Sequence, residues 1–183
     1  HRSAFGKRLV EQPAMVNVLA DLAIEAEAAT TTALRLARAY DEGDTALRRF
    51  PTAVLKYWVC KRATPHAAEA LECLGGNGYV EESGLPRLFR ESPLNSIWEG
   101  SGNVQCLDVL RAMVKSPASL EAFFAEVEEG AVAEPRLRAF ATGLRDELPG
   151  DLETIESRAR RVVEKMALAL QGSLLVRYGD EAV

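Results

Sequence analysis

A chain of 183 residues with 48% hydrophobic side chains is long enough for one well-packed domain and has the composition of an ordinary soluble globular protein. No run approaches the about 18 consecutive apolar residues of a membrane span, and the basic start HRSAFGKRLVEQP lacks the unbroken apolar core of a secretory signal. A formal charge of −5 argues against general affinity for nucleic acid, which needs a basic surface or a dense basic patch.

The start without methionine reads as internal. Residues 1–114 hold 13 Lys/Arg against 14 Asp/Glu and residues 115–183 hold 9 against 13, giving −1 and −4, so the later part is the more acidic. Cys60, Cys73 and Cys106 form no close Cys-x-x-Cys pair and cannot all pair with one another, which fits a reducing cytoplasmic setting. The two histidines are His1 and His66, too few imidazoles for a zinc site, and no metal is expected.

The first periodic segment, residues 12–42, predicts a long helix with Val16, Leu19, Ala23, Ala26, Ala33, Leu36, Ala37 and Tyr40 along one side. Pro13 suits its first turn and Gly43 its end. Ahead of it, Arg2, Lys7 and Arg8 surround Phe5–Gly6, either a solvated terminal cluster or cations able to reach a phosphate.

A second helix is expected from Pro51 to Leu74, with Leu55, Trp58, Val59, Ala63, Ala67, Ala70, Leu71 and Leu74 inward, a bend at Pro65, and a stop at Gly75–Gly76. Further helices fit 102–114, 117–129, 133–148 and 153–178, separated by Gly130 and a Pro149–Gly150–Asp151 turn. The last puts Ile155, Ala159, Val162, Val163, Met166, Ala167, Leu170 and Leu174 on one side. Its Arg158, Arg160, Arg161 and Lys165 fall more exposed, with Glu153, Glu156 and Glu164 as neutralising neighbours. No strand periodicity stands out, so the fold class is all-α.

Between helices, residues 72–103 concentrate glycine and polar side chains. Leu74-Gly75-Gly76-Asn77-Gly78-Tyr79 lets the main chain approach a ligand closely, or simply ends a helix. It is not the Gly-x-Gly-x-x-Gly dinucleotide pattern, and no strand precedes it. Arg87 and Arg90 share a helical face, with Glu81, Glu82 and Glu91 as partners. Glu99, between Trp98 and Gly100, is either a surface carboxylate or a partly desolvated proton acceptor, and Ser101 and Asn103 are positioned to cap the next helix.

Taken in order, Arg2-Ser3-Ala4-Phe5-Gly6-Lys7, the Gly75-Gly76-Asn77-Gly78 bend, Arg90 and Ile97-Trp98-Glu99-Gly100-Ser101-Gly102-Asn103 make the chain resemble the C-terminal helical domain of the acyl-CoA dehydrogenase family. Cys60-Lys61-Arg62, Leu85-Pro86-Arg87-Leu88, Pro93-Leu94-Asn95-Ser96 and Cys106-Leu107-Asp108-Val109-Leu110-Arg111 bring it closest to the adaptive-response, AidB-like branch. The resemblance covers residues 2–114. It divides the chain into a family domain, 1–114, and a helical extension, 115–183, packed on or beside it.

The resemblance implies a larger FAD-dependent flavoprotein with an N-terminal helical domain and a central β-domain, assembled as a homo-oligomer around FAD and acting on an acyl-CoA-like substrate. Glu99 would be the base removing the α-proton. Arg2 with Phe5 would reach a neighbour's flavin pyrophosphate, and Gly75, Gly76 and Gly78 would lie near its adenosine, with Ser101 and Asn103 as further cofactor contacts. Glu99 and the glycine bend are then expected to face a common cleft. Glu72 replaces the glutamine usual near the adenosine, Ser101 the usual threonine, and Gly102 and Asn103 more typical side chains, which loosens the turn. Alone, the chain is expected to be inactive and to retain no flavin. The branch also suggests DNA binding, through Arg158, Arg160, Arg161, Lys165 and Arg177, and a third reading makes the domain a structural oligomerisation unit; acidity disfavours DNA.

Overall fold

A computed structural model describes residues 2–148 and 152–179. His1 and the expected Pro149–Gly150–Asp151 turn lie outside the described residues, as does the side chain of Glu153. The described chain is a helical bundle preceded by a short hairpin, in which β1 (Ser3–Ala4) pairs antiparallel with β2 (Lys7–Arg8). Sequence periodicity could not reveal strands two residues long. Their turn, Phe5–Gly6, has positive φ at both positions, 55° and 86°, as a tight two-residue hairpin requires.

Helix α1 spans Pro13–Asp41 and ends at Gly43, whose φ of 70° lets its N–H reach the Tyr40 carbonyl while the Asp44 N–H reaches Ala39. Its inward face differs from the expected one. Ala28, Thr32 and Ala39 are buried, with Leu22, Glu25, Ala29 and Leu36 half-buried beside them, whereas Val16, Ala23, Ala26, Ala33, Ala37 and Tyr40 are exposed. In a helix this rich in alanine, the apolar contrast that marks a face is weak, and polar residues occupy the true one.

Helix α2, Thr45–Cys73, starts six residues before the expected Pro51, because the Asp44 carboxylate accepts from the Leu47 N–H at 2.9 Å and caps it. The helix continues through Pro51 and Pro65. Its first half carries the core: Leu47, Phe50, Ala53, Val54, Leu55 and Tyr57 are buried. The second half is only half-buried.

Four short helical pieces follow: α3 (Gly76–Tyr79), a 3-10 turn over Glu81–Ser83, α4 (Leu85–Glu91) and a 3-10 turn over Ser92–Ser96. They retrace α2 from its end towards its middle. The Ser92 hydroxyl lies 3.3 Å from that of Thr64, the Lys56 ammonium donates to the Asn95 carbonyl, and Gly102 lies against the ring of Tyr57.

Helices α5 (Gly102–Lys115), α6 (Pro117–Ala131) and α7 (Pro135–Glu147) match their expected places, but Gly130 does not break α6. A Cβ there would stand 2.6 Å from the backbone of Ser173, and the Gly130 N–H donates to the Ser173 hydroxyl at 3.1 Å. The glycine is a close-packing point between helices. The expected last helix is two, α8 (Leu152–Ser157) and α9 (Ala159–Tyr178), divided at Arg158, where φ −107° and ψ 5° depart from helical values. All eight of its predicted inward residues are buried.

The core joins both sides of residue 114 into one cluster. Phe50 of α2 meets Phe123 of α6 edge to face at 5.3 Å, Phe123 meets Phe124 likewise, and Val109, Met166, Leu170 and Leu174 complete the packing from α5 and α9. Each such side chain contributes about 1.5–3 kcal/mol by leaving water. Beside this core, Glu126 of α6, 6% exposed, accepts from Arg35 of α1 at 2.9 and 2.7 Å and from Arg177 of α9 at 2.6 Å. Burial pushes the Glu126 carboxyl up, yet the two guanidiniums outweigh it and hold the group below its ordinary value. One anion thus ties three helices together.

Candidate functional site

The polar groups singled out from sequence fall into two clusters. The first is at the far end of α2. There the hairpin turns Arg2 towards the helix terminus, with its guanidinium 3.4 Å from the Leu74 carbonyl. Gly75 has φ 58°, and a Cβ on it would come within 2.9 Å of the Arg2 guanidinium, so glycine serves both the turn and the room that Arg2 occupies. Open space surrounds Gly76, whereas Gly78 is buried and any Cβ on it would run into the Leu71 carbonyl oxygen. The positions therefore differ in purpose: Gly78 is needed for packing, Gly75 and Gly76 for approach. Phe5, 95% exposed, rests on nothing within the chain. Glu72 is exposed beside the bend, and its carbonyl accepts from the Gly75 N–H at 2.8 Å.

The second cluster lies where α5 begins. Glu99 has φ 54°, a left-handed conformation that costs a non-glycine residue about 1 kcal/mol or more. Its carbonyl is held by the side-chain amide of Gln105 at 2.8 Å, which fixes the turn. The carboxylate is exposed, as are Ile97 and Trp98 before it, so the desolvation anticipated from the neighbouring indole is not supplied by this chain. Ser101 stands at the N-cap of α5 without a side-chain capping bond. Asn103 is inside the first turn rather than capping it, and its side-chain oxygen accepts from the Arg160 guanidinium of α9 at 2.7 Å. Tyr57 beneath Gly102 and the buried Cys106 back this turn. Burial pushes the Tyr57 phenol up and the Cys106 thiol up to about 11, which leaves that sulfur an inert neighbour.

Within one chain the two clusters do not meet. One is anchored at Leu74 and the other at Tyr57, positions separated by roughly 25 Å of helix. A cleft shared by Glu99 and the glycine bend is not formed by this chain alone. Sequence reading also missed Arg160 and Tyr57 as parts of the Glu99–Asn103 turn; they are distant in the chain and carry no local signature.

The remaining charges are mostly engaged. Arg90 grips Glu81 through two bonds of 2.7 and 2.9 Å, and Arg87 meets Glu91 at 2.9 Å, so both arginines of α4 are ion-paired. Three basic side chains of α9 find partners on other helices instead of one turn away. Lys165 pairs with Glu147, Arg177 with Glu126 and Glu129, and Arg160 with Asn103. Glu25 of α1 pairs with Arg62 of α2, close to His66, and Trp58 donates to Gln171 of α9 at 3.2 Å. Burial raises the Glu25 carboxyl, and Arg62 together with His66 more than reverses this. Among the described residues no helix is long and apolar enough to cross a membrane, and the three cysteines are free.

Comparison with known proteins places these features in context. Residues 1–114 match the acyl-CoA dehydrogenase, C-terminal domain, family. AidB of Escherichia coli (strain K12) is 52% identical over 118 residues, covering 62% of this chain and 22% of that protein. Acyl-CoA dehydrogenase family member 11 of Caenorhabditis elegans is 31% identical over an alignment covering 100% of this chain and 28% of that protein. Among solved structures, Caenorhabditis elegans ACDH-11 in complex with C11-CoA superposes with a TM-score of 0.82 at 26% identity, covering 99% of this chain and 35% of that one. The apo form of Bd2924 gives 0.85 at 30% identity, covering 98% and 36%. The chain thus spans about a quarter of those curated relatives and about a third of those solved chains, and the two structures share its extension as well as its family domain.

Proposed function

Because this chain belongs to the acyl-CoA dehydrogenase family through its C-terminal domain, we propose that it is the C-terminal part of an FAD-dependent acyl-CoA oxidoreductase in which Glu99 is the α-proton acceptor. The single observation that carries the reading is the Glu99 turn: a carboxylate presented to the outside on a strained left-handed residue whose carbonyl is held by the Gln105 amide. Strain of this kind persists only where surrounding contacts impose it. Glu99 takes a proton from the carbon next to the thioester carbonyl, and the exposed Ile97 and Trp98 lie beside it.

The donor chemistry suits FAD. Arg2, the Ser101 hydroxyl and the uncapped first turn of α5 offer hydrogen-bond donors and positive charge for diphosphate and ribose oxygens, and Asn103 adds an amide. Gly75 and Gly76 leave the main chain bare where an adenosine would approach. When bound, the flavin supplies the hydride acceptor that no side chain can provide.

The separation of the two clusters supports a site completed between subunits. Arg2, Phe5 and the Gly75, Gly76, Gly78 bend serve one cofactor, and Glu99, Ser101 and Asn103 another, so a homo-oligomer with its further domains is required and the isolated chain is inactive. On this reading residues 115–183 are an extension that braces the family domain through α9. C11-CoA in the ACDH-11 structure supports an acyl-CoA as the substrate class.

The test is the spectrum of the intact protein, purified with its flavin, before and after anaerobic addition of a panel of acyl-CoAs. Bleaching of the oxidised flavin band by at least one of them is the expected result. An intact protein that carries no FAD, or a flavin that none of them reduces, overturns the reading.

A further inference from the structure

Arg160 of α9 reaches across 57 residues of chain to the turn that carries Glu99. Its Nε donates to the Asn103 side-chain oxygen at 2.7 Å, and its Nη2 lies alongside Gly102, 4.0 Å from where a Cβ there would stand. We propose that Arg160 is a positioning residue of the flavin site, an assignment that rests on the flavin reading and goes one step beyond it. By committing the oxygen of the Asn103 amide, Arg160 makes the NH₂ the end that the amide presents to the cofactor. The extension, outside the 1–114 family domain, thereby sets the donor face of that domain's site. Arg160 itself touches neither cofactor nor substrate.

An amide can face a ligand with either end, and the end it shows is set by what occupies the other. An arginine only donates, so Arg160 takes the oxygen and leaves the NH₂. Without Arg160, rotation of the Asn103 amide lets its oxygen face the cofactor's phosphate oxygens, acceptor against acceptor. Little else in the turn holds that choice. Ser101, at the N-cap, makes no side-chain bond, and Glu99 and Gly100 have positive φ, 54° and 103°. The Gln105 amide is committed to the Glu99 carbonyl, and Tyr57 backs Gly102 with ring carbons.

Arg160 is held still at its root. Ala159, Val162, Val163 and Met166 of α9 are buried, and they share one core cluster with Cys106, Val109 and Leu110 of α5. The two helices are fixed against each other by that packing, so a bond between their first turns orients a side chain instead of holding the helices together. Arg160 and Asn103 are exposed, and a bond between exposed groups adds little to stability. Its effect is on direction: the fold survives its loss and the donor face does not.

The experiment is a double-mutant cycle in FAD affinity on the intact protein, stripped of flavin and titrated with FAD, with circular dichroism of every variant. Arg160→Ala is expected to raise the FAD dissociation constant about five- to tenfold with the fold intact, and Arg160→Lys to recover most of that loss. Asn103→Ala raises it at least as far. Because Arg160 acts through Asn103, adding Arg160→Ala to Asn103→Ala changes nothing further. Lys165→Ala, which removes a different bond between α9 and another helix, leaves FAD affinity as in wild type. Should Arg160→Ala not fold, Arg160→Met, of similar length and without a donor, takes its place in the cycle. A loss of equal size with Lys165→Ala makes Arg160 structural only, and additive losses make it a direct cation for the cofactor. FAD affinity unchanged by the Arg160 variant denies it any role, and each of these three results overturns the proposal while the flavin reading stands. Wild-type protein that binds no FAD overturns both.

Discussion

The seam between α1, α6 and α9 and the turn carrying Glu99 both hold polar groups and treat them in opposite ways. In the seam, Glu126 is buried and gripped by Arg35 and Arg177, and the Gly130 N–H is satisfied by Ser173, whose own hydroxyl donates to the Glu126 carbonyl at 2.8 Å. At the turn, the Glu99 carboxylate is exposed, its backbone is in a left-handed conformation, and the neighbouring Ser101 caps nothing with its hydroxyl. Hydrogen-bonding capacity is largely consumed where helices must be held, Arg35 Nη1 excepted, and kept open where a ligand is proposed. That contrast separates the groups that fold the chain from those proposed to act.

The contrast breaks most severely at Glu126. Glu126→Ala strands Arg35 in a largely dry seam, leaves Arg177 to Glu129, and costs about 3 kcal/mol in denaturant unfolding. The pH dependence carries the same sign. The folded carboxyl lies below its ordinary value, so the unfolded chain binds the proton more readily. Its stabilisation is complete above the ordinary carboxylate value and is lost as pH falls through the lower folded one. The stability gap between the wild-type chain and Glu126→Gln is therefore constant near neutrality and closes below about pH 4.5. A gap that widens on acidification would show that the ion pairs do not stabilise the fold.

Gly130→Ala comes next. Its Cβ would meet backbone and side-chain atoms of Ser173 at 2.6 Å, and prying α6 from α9 costs about 2 kcal/mol, read as a lowered thermal midpoint. A smaller effect of opposite sign is expected at the turn. Glu99→Gly relieves a left-handed residue and makes no buried group homeless, so stability stays level or rises by up to about 1 kcal/mol while the candidate base is removed. Loss of stability there would place Glu99 in the seam's class instead.

How much of this was legible in sequence depends on residue contrast and on distance along the chain. The inward face of α9 was readable because valine, methionine and leucine alternate clearly with arginine and lysine. The face of α1 was not, since alanine is nearly as common outside as inside and Glu25, Thr32 and Arg35 take inward positions. Gly43 could be read from its place at a helix end. Gly130 looked like the same signal, yet its role is set by Ser173, 43 residues away. Glu99, Ser101 and Asn103 were found by pattern, whereas the Arg160 that grips Asn103 is 57 residues on and belongs to no motif. Local chemistry shows in local sequence; contacts between helices do not.

The account rests on Glu99 as a proton acceptor that the fold leaves free, and the most direct test is a single-turnover half-reaction of the intact protein carrying Glu99→Gln. The account predicts flavin content and stability equal to wild type, with flavin reduction by acyl-CoA slowed at least about a hundredfold. Reduction at the wild-type rate, with flavin fully bound, contradicts it.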